Sequence, residues 1–296
     1  MIPPQAMTEP VVLRTVRELA HFVASRGSGT VGFVPTMGML HDGHLSLVHL
    51  AARETQTVVV SIFVNPTQFG PNEDFHKYPR SLERDLQTLR GQGASAVFAP
   101  DVAEMYPAST GTGAGTMVHV SGVSETLCGP FRPGHFDGVA TVVNKLLHAV
   151  GPCRAYLGRK DFQQLAVIRR MVADLFLPVQ VVGAPTVRDP DGLAMSSRNA
   201  YLSGAERDRA LGIARGLRAA HQAFELGERD AETLRAAAIV HIAPIASSIE
   251  YVSVADPESL ALLEGDVSDC ALLAVAIRIG TTRLIDNLEL GVDPSP

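Results

Sequence analysis

Cysteine, positive charge and long apolar runs are what this 296-residue chain has least of. Its three cysteines, Cys128, Cys153 and Cys270, stand far apart with no C-x-x-C pair. That usage suits a reducing cytoplasm and leaves no disulfide framework and no cysteine-based zinc site. Lys and Arg number 25 against 31 Asp and Glu, a net charge of −6 with a pI near 5.9. The broad positive field that nucleic-acid-binding proteins carry is therefore missing. The longest strongly apolar run, Val58 to Val64, is far short of the roughly 20 residues of a membrane span. Met1 to Pro10 holds no basic patch leading into an apolar stretch, so no secretory signal is expected. No G-x-x-x-x-G-K-[ST], no H-E-x-x-H and no internal repeat occurs. What is present in quantity is core material: 46% of the residues are hydrophobic and only 19% charged, the composition of a folded α/β protein, here expected in the cytoplasm.

Over the first 180 or so residues the hydrophobic pattern alternates between two periods. Val31 to Val34 is a short apolar run stopped by Pro35, and Val58 to Val64 is continuous and β-branched, as a strand buried on both faces should be. Ala96 to Ala99, Ala155 to Leu157 and Val179 to Val182 read as further strands. Between them lie helical stripes: Leu45, Val48 and Ala52; Leu82, Leu86 and Leu89 behind a Ser81 N-cap; Val139 to Leu147; and Leu165, Ile168, Val172 and Leu175. Strand–helix alternation with short connections predicts a Rossmann-like parallel sheet with helices on both faces, over residues 1–187. The turn Asp189-Pro190-Asp191-Gly192 marks a change of texture. Beyond it, Ser203 and Glu206 form a capping-box pattern, alanine-rich helix runs to about Ile242, and strands follow at Glu250–Val254, Leu272–Ile279 and Arg283–Leu288. These predict a smaller α+β domain over 188–296, acting as a lid.

In parallel sheets ligands gather at the carboxyl ends of the strands, so chemistry is sought in the loops after Val34, Val64 and Leu157. The first loop, Pro35-Thr36-Met37-Gly38-Met39-Leu40-His41-Asp42-Gly43-His44, joins a strand to a helix. His41 and His44 are three residues apart and can face one side of the first turn. The helix N-terminus and the glycines favour an anion, and two imidazoles could donate to phosphate oxygens as charge builds in a displacement. A capping histidine beside a surface one, or half of a metal site, is the alternative. At the second loop, Asn65 and Gln68 could meet hydroxyl or carboxylate oxygens, or form an ordinary turn. At the third, Gly158-Arg159-Lys160-Asp161 puts a lysine where it can reach a phosphate, with Gln164 one turn into the next helix. Met195-Ser196-Ser197-Arg198 would suit a mobile flap closing on a triphosphate, though such a sequence is common in loops. Asp74 and Asp85 could help hold magnesium, or be solvated, as acidic residues flanking a helix usually are. Gly111-Thr112-Gly113-Ala114-Gly115 mimics a dinucleotide fingerprint, but it follows no clear strand and reads as a loop.

Taken in order, these segments resemble the pantothenate synthetase (pantoate–β-alanine ligase) family. The residues that carry the likeness are Pro35-Thr36-Met37-Gly38, His41-x-Gly-His44, Phe63-Val64-Asn65-Pro66-x-Gln68-Phe69, Tyr78-Pro79-Arg80, Arg132-Pro133-Gly134-His135-Phe136-x-Gly138-Val139, Lys160-Asp161-x-Gln163-Gln164 and Met195-Ser196-Ser197-Arg198-Asn199. Gly280-Thr281-Thr282-Arg283-Leu284-Ile285-Asp286-Asn287 adds an echo near the end. The resemblance implies a two-step reaction through pantoyl adenylate, with release of pyrophosphate and then of AMP. It implies ATP at Met37, Gly38, Met39, Leu40, His41, Asp42, Gly43 and His44, and also at Gly158, Arg159, Lys160, Asp161, Val187, Met195, Ser196, Ser197 and Arg198. His44, His41, Lys160, Ser196, Ser197 and Arg198 would carry the chemistry. Gln68, Gln164 and Asn65 would hold substrate, Gln68 near β-alanine as well as pantoate. The enzyme would be magnesium-dependent and a cytoplasmic homodimer with small-molecule partners only. Two departures stand out: Arg159, where the family usually has Glu or Gln, and Cys128-Gly129-Pro130-Phe131, where a more acidic run is usual. H-x-G-H alone also admits a nucleotidylyltransferase that leaves the nucleotide on its product, a non-catalytic nucleotide binder, or a class I aminoacyl-tRNA synthetase. The last would need an anticodon-binding region that this acidic chain does not show.

Overall fold

The computed structural model describes residues 9–71, 73, 75, 77–107 and 115–296. Asp74 and most of the Gly111–Gly115 run lie outside them. The chain folds as two compact units: residues 1–120, 132–159 and 167–185 form the first, and 121–131, 160–166 and 186–296 the second.

The first unit holds β1 (Val11–Leu13), α1 (Val16–Ala24), β2 (Val31–Thr36), α2 (Asp42–Glu54), β3 (Thr57–Ile62), α3 (Leu82–Leu89), β4 (Ala96–Phe98), the short α4 (Val102–Met105), α5 (His135–Val150), β5 (Cys153–Gly158), most of α6 (Phe162–Asp174) and β6 (Val179–Ala184). The strands pair in the order β1-β4-β3-β2-β5-β6, and every pair is parallel. Side-chain alternation divides the apolar residues between two faces. Val58, Val60 and Val97 pack with Leu47, Val48 and Ala51 of α2 and Leu89 of α3. Phe33, Val59 and Phe98 are out of phase with these and equally buried, on the face where α5 covers β2 and α1 lies against α5. From β2 the order runs to β3 and β4 on one side and to β5 and β6 on the other. The switch point therefore lies between β2 and β5, where doubly wound sheets bind their ligands.

Several details differ from the sequence reading. β2 runs on through Pro35 to Thr36. A proline is tolerated there because β5 pairs with β2 only at Gly32 and Phe33, so at Pro35 the strand has β3 alone as neighbour. The buried face of α2 is Leu47, Val48 and Ala51, a residue off the expected stripe. Ser81 stands at the N-cap of α3 without a side-chain cap bond. Leu175 follows the end of α6 and is exposed. β1 and α1 were not foreseen. β1 is a three-residue edge strand with Val11 and Val12 exposed, too short to show a period.

In the second unit, α7 (Gly204–Glu225) and α8 (Ala231–Ile242) pack on an antiparallel sheet of β7 (Ser248–Ala255), β8 (Ala271–Ile279) and β9 (Thr282–Leu290), in the order β7-β8-β9. Ile213, Leu217, Leu234, Leu273, Val275 and Ile277 form the centre of its core. The expected capping box opens α7: Ser203 Oγ accepts from Glu206 N at 3.3 Å, and Glu206 Oε2 accepts from Ser203 N at 2.9 Å. Among the described residues no helix is long and apolar enough to cross a membrane.

Candidate active site

The loop that leaves β2 is shaped by two consecutive residues of positive φ, Gly38 at +83° and Met39 at +52°. A side chain at Gly38 would also crowd the clasp, since its Cβ would lie 2.7 Å from Asp85 Oδ2 and force it to shift. At Met39 the left-handed backbone costs roughly 1–2 kcal/mol, and Asp85 holds it in place. Asp85 Oδ2 accepts from Met39 N at 3.0 Å, and Oδ1 accepts from Leu40 N at 2.8 Å. Burial raises the pKa of this carboxyl, and the two amides pull it back part of the way. Both oxygens of Asp85, expected from the sequence to hold magnesium, are engaged in clasping this loop. Among the described residues no group of three His, Cys, Asp or Glu is placed to hold a metal ion. Asp85 lies 45 residues beyond Leu40, so its role has no local sequence signal.

The clasped loop delivers the two histidines to the start of α2. His41 is the N-cap, its Nδ1 accepting from Gly43 N at 3.1 Å. His44 reaches back, its Nδ1 accepting from His41 N at 3.4 Å. The rings stand 4.1 Å apart between centroids. Because each Nδ1 accepts a backbone N–H, the proton of each neutral ring is assigned to Nε2. This is a capping box with imidazoles in place of hydroxyl and carboxylate. The helix end it caps carries the partial positive charge that favours an anion.

Past β3 the chain turns through a single 3-10 turn, Pro66–Gln68. Asn65, expected to meet substrate oxygens, is 1% exposed and engaged on every side within the first unit. Its Oδ1 accepts from Tyr106 Oη at 2.7 Å and from Thr67 Oγ1 at 3.1 Å, and its Nδ2 donates to Gln68 Oε1 at 3.2 Å and to Gly138 O at 3.1 Å. These bonds make it a buried clasp of the turn. Gln68 is different: its Nε2 lies 2.9 Å from Met37 Sδ, which joins the loop after β3 to the loop after β2. Gly158 and Arg159 follow from the end of β5, beside β2 in the sheet. Thus His41, His44, Met37, Gln68, Gly158 and Arg159 all lie at the carboxyl ends of the central strands of the first unit.

The remaining expected residues belong to the second unit, where several are tied to one position. Asn287 of β9 donates through Nδ2 to Lys160 O at 2.8 Å. Its own carbonyl accepts from Arg188 Nη2 at 3.2 Å, and Arg188 pairs with Asp286 through Nη1 at 2.7 Å and Nη2 at 3.0 Å. Met195 N donates to Val187 O at 3.0 Å across the turn at Asp189–Gly192. Ser196 then caps a short 3-10 helix, Ser197–Tyr201, with its Oγ accepting from Arg198 N at 3.2 Å. Lys160 Nζ stands 3.6 Å from Asp161 Oδ1. Gln163 is buried and holds the loop before α5, accepting from Cys128 N at 2.9 Å and donating to Thr126 O at 2.7 Å. Its neighbour Gln164 is half-buried. Arg188, Asp286 and Asn287 were not singled out from the sequence, although the last two close the Gly280–Asn287 echo.

The family model described as pantoate–β-alanine ligase matches residues 11–289. The chain belongs to the pantoate–β-alanine ligase family. Pantothenate synthetase 1 of Bradyrhizobium diazoefficiens is 50% identical over 286 residues, covering 96% of this chain and 99% of that one. The pantothenate synthetase of Geobacter sulfurreducens is 53% identical over 269 residues, covering 90% and 93%. Among solved structures, pantothenate synthetase from Thermus thermophilus superposes with a TM-score of 0.88 at 48% identity, covering 95% of this chain and 99% of that one. The pantoate–β-alanine ligase of Francisella tularensis, complexed with β-γ ATP and β-alanine, gives 0.76 at 33% identity over 97% and 100%. The ligase family accounts for the strand order and for the polar loops at the strand ends. The chain is accordingly an enzyme of this family.

Proposed function

We propose that the chain joins pantoate to β-alanine at the expense of ATP, through pantoyl adenylate. The pantoate carboxylate attacks the α-phosphorus and pyrophosphate leaves; the β-alanine amine then attacks the acyl carbon and AMP leaves. The observation that carries this reading is the reciprocal capping of His41 and His44, which assigns an Nε2 proton to each ring at the positive end of α2. Two such donors stabilise charge that grows on phosphate oxygens in the displacement, a role for which preorganised N–H groups are well suited. In this reading the nucleotide-binding residues of the first unit are the loop from Met37 to His44 with Gly158 and Arg159, and those of the second unit are Lys160, Asp161, Val187, Met195, Ser196, Ser197 and Arg198. His44 is the proton donor or charge stabiliser at the reacting phosphate. Gln68 and Gln164 hold pantoate.

Magnesium, implied by the resemblance, has no cage of protein ligands among the described residues. We assign it to the triphosphate oxygens, as is common for this ion, and the residue roles do not depend on it. A homodimer is supported by the open edge of the sheet at β6, next to Phe176, which is 92% exposed, and Leu175, 47% exposed. Three free thiols fit a cytoplasmic setting.

The test is ATP–pyrophosphate exchange. It should require pantoate and proceed without β-alanine. Lack of exchange with pantoate present would overturn the adenylate mechanism, and a stable adenylylated product formed without AMP release would instead favour a nucleotidylyltransferase.

A further inference from the structure

We propose that Arg132 and His135 are positioning residues that fix the backbone of Gln68 and so aim its side-chain amide at pantoate; this rests on the reading of Gln68 given above. Arg132 is held side-on by Glu73, its Nε donating to Oε1 at 2.7 Å and its Nη2 to Oε2 at 2.6 Å. The third arm of the guanidinium, Nη1, lies 2.8 Å from His135 Nε2. Arginine can only donate, so His135 Nε2 accepts. The ring proton is then on Nδ1, and it is donated to Gln68 O at 2.8 Å. An unbroken relay therefore runs from Glu73 through Arg132 and His135 to the peptide carbonyl of Gln68, within the first unit.

The relay acts on a turn that is gripped from other sides too. Asn65 takes the Gln68 side-chain oxygen and the carbonyl of Gly138. A Cβ at Gly138 would lie 2.3 Å from Thr67 O and 2.7 Å from Gln68 Cα, so the first turn of α5 rests directly on the turn that carries Gln68. With its carbonyl, oxygen and backbone fixed, Gln68 retains one directed group, Nε2, which points at Met37 Sδ. A thioether is a weak acceptor. Exchanging it for a carboxylate or hydroxyl oxygen of the substrate therefore forfeits little, and an N–H already aimed needs no reordering on binding. The Arg132 and Glu73 side chains are 13% and 26% exposed, so the ion pair is shielded and its geometry is held.

The experiment is steady-state kinetics on the full-length enzyme, varying pantoate and ATP separately, for His135→Phe, His135→Asn, Arg132→Lys and Gln68→Ala. His135→Phe removes the donor to Gln68 O and should raise the KM for pantoate about tenfold, the worth of roughly one such hydrogen bond, with the KM for ATP within about twofold. His135→Asn, whose amide can still donate to Gln68 O, should recover most of the loss. Arg132→Lys keeps the charge and breaks the fork, and should give a smaller rise; it also serves if His135→Phe does not fold. Equal changes in both KM values, or no rescue by His135→Asn, would mean a general structural role and overturn the proposal. Gln68→Ala separates the two claims. If it leaves the KM for pantoate unchanged, the assignment of Gln68 to pantoate fails; if it raises that KM while the His135 and Arg132 variants do not, only the positioning role fails.

Discussion

His41 and His44 cap one helix reciprocally, each imidazole accepting a backbone N–H through Nδ1, with ring centroids 4.1 Å apart. The two side chains are not equivalent in what they hold. The His44 bond is long, at 3.4 Å, so His44→Ala should change stability by well under 1 kcal/mol. It should lower the rate of adenylate formation by about 10²–10³-fold, as loss of one preorganised donor does. His41→Ala removes the N-cap and should cost about 1 kcal/mol in addition to its effect on rate. Pyrophosphate exchange and thermal melting, run on both variants, check the split. A His44→Ala enzyme with full turnover would remove that residue from the chemistry.

Gly138→Ala should act on substrate binding from the far side of the turn. The added methyl meets the Thr67 carbonyl carbon at 2.6 Å and its oxygen at 2.3 Å, both backbone atoms that cannot swing aside. Overpacking of this kind costs about 1–3 kcal/mol. The expected outcome is a lower melting temperature together with a raised KM for pantoate, measured on the same preparation.

Asp286 and Arg188 form the most enclosed ion pair in the second unit for which both exposures are known, 2% and 14% by side chain. Asp286→Ala leaves the guanidinium with no carboxylate partner there and should destabilise that unit by about 3–5 kcal/mol. Urea unfolding followed by circular dichroism measures the loss. Asn287→Ala, which removes the contact to Lys160 O, should instead raise the KM for ATP with a smaller change in stability.

Glu73 supplies a pH dependence whose sign is fixed by its surroundings. Burial pushes its carboxyl up, and the Arg132 guanidinium more than reverses this, leaving the pKa below the ordinary 4.5. A depressed folded-state pKa gives stability that is present above 4.5 and lost as the pH falls through the folded value. The difference in melting temperature between wild type and Glu73→Gln should therefore be greatest near neutrality and shrink in acid. A constant difference across that range would show that the pair contributes nothing through its charge.

Arg159→Gln restores the residue type usual in the family at this position. Removing a cation next to Lys160 should raise the KM for ATP severalfold and flatten its dependence on ionic strength. The pantoate KM should not move.

Much of this was legible from the sequence. The β-branched run at Val58 gave a central strand, and the alternation of periods gave the parallel sheet. The capping box at Ser203 and Glu206 marked the start of α7 to the residue. The Thr15 and Glu18 box at α1 follows the same rule, yet it went unread because only the three-residue β1 precedes it. The polar loops were found because strand ends are where a parallel sheet exposes backbone. What could not be read was which distant groups hold these polar residues in place. Asp85 meets amides 45 and 46 residues away, and Asn65 meets a carbonyl 73 residues away. Such partners are set by the packing of α3 and α5, and no local pattern encodes them.

The way the chain is shared between its two units has a practical consequence for anyone wishing to study one of them. The polypeptide passes from one to the other five times before residue 187. No single stop codon or protease site can therefore release either half whole: a fragment ending at Pro185 would carry segments 121–131 and 160–166 without the neighbours they fold with. Isolating the first unit calls for redesigned connections, not truncation.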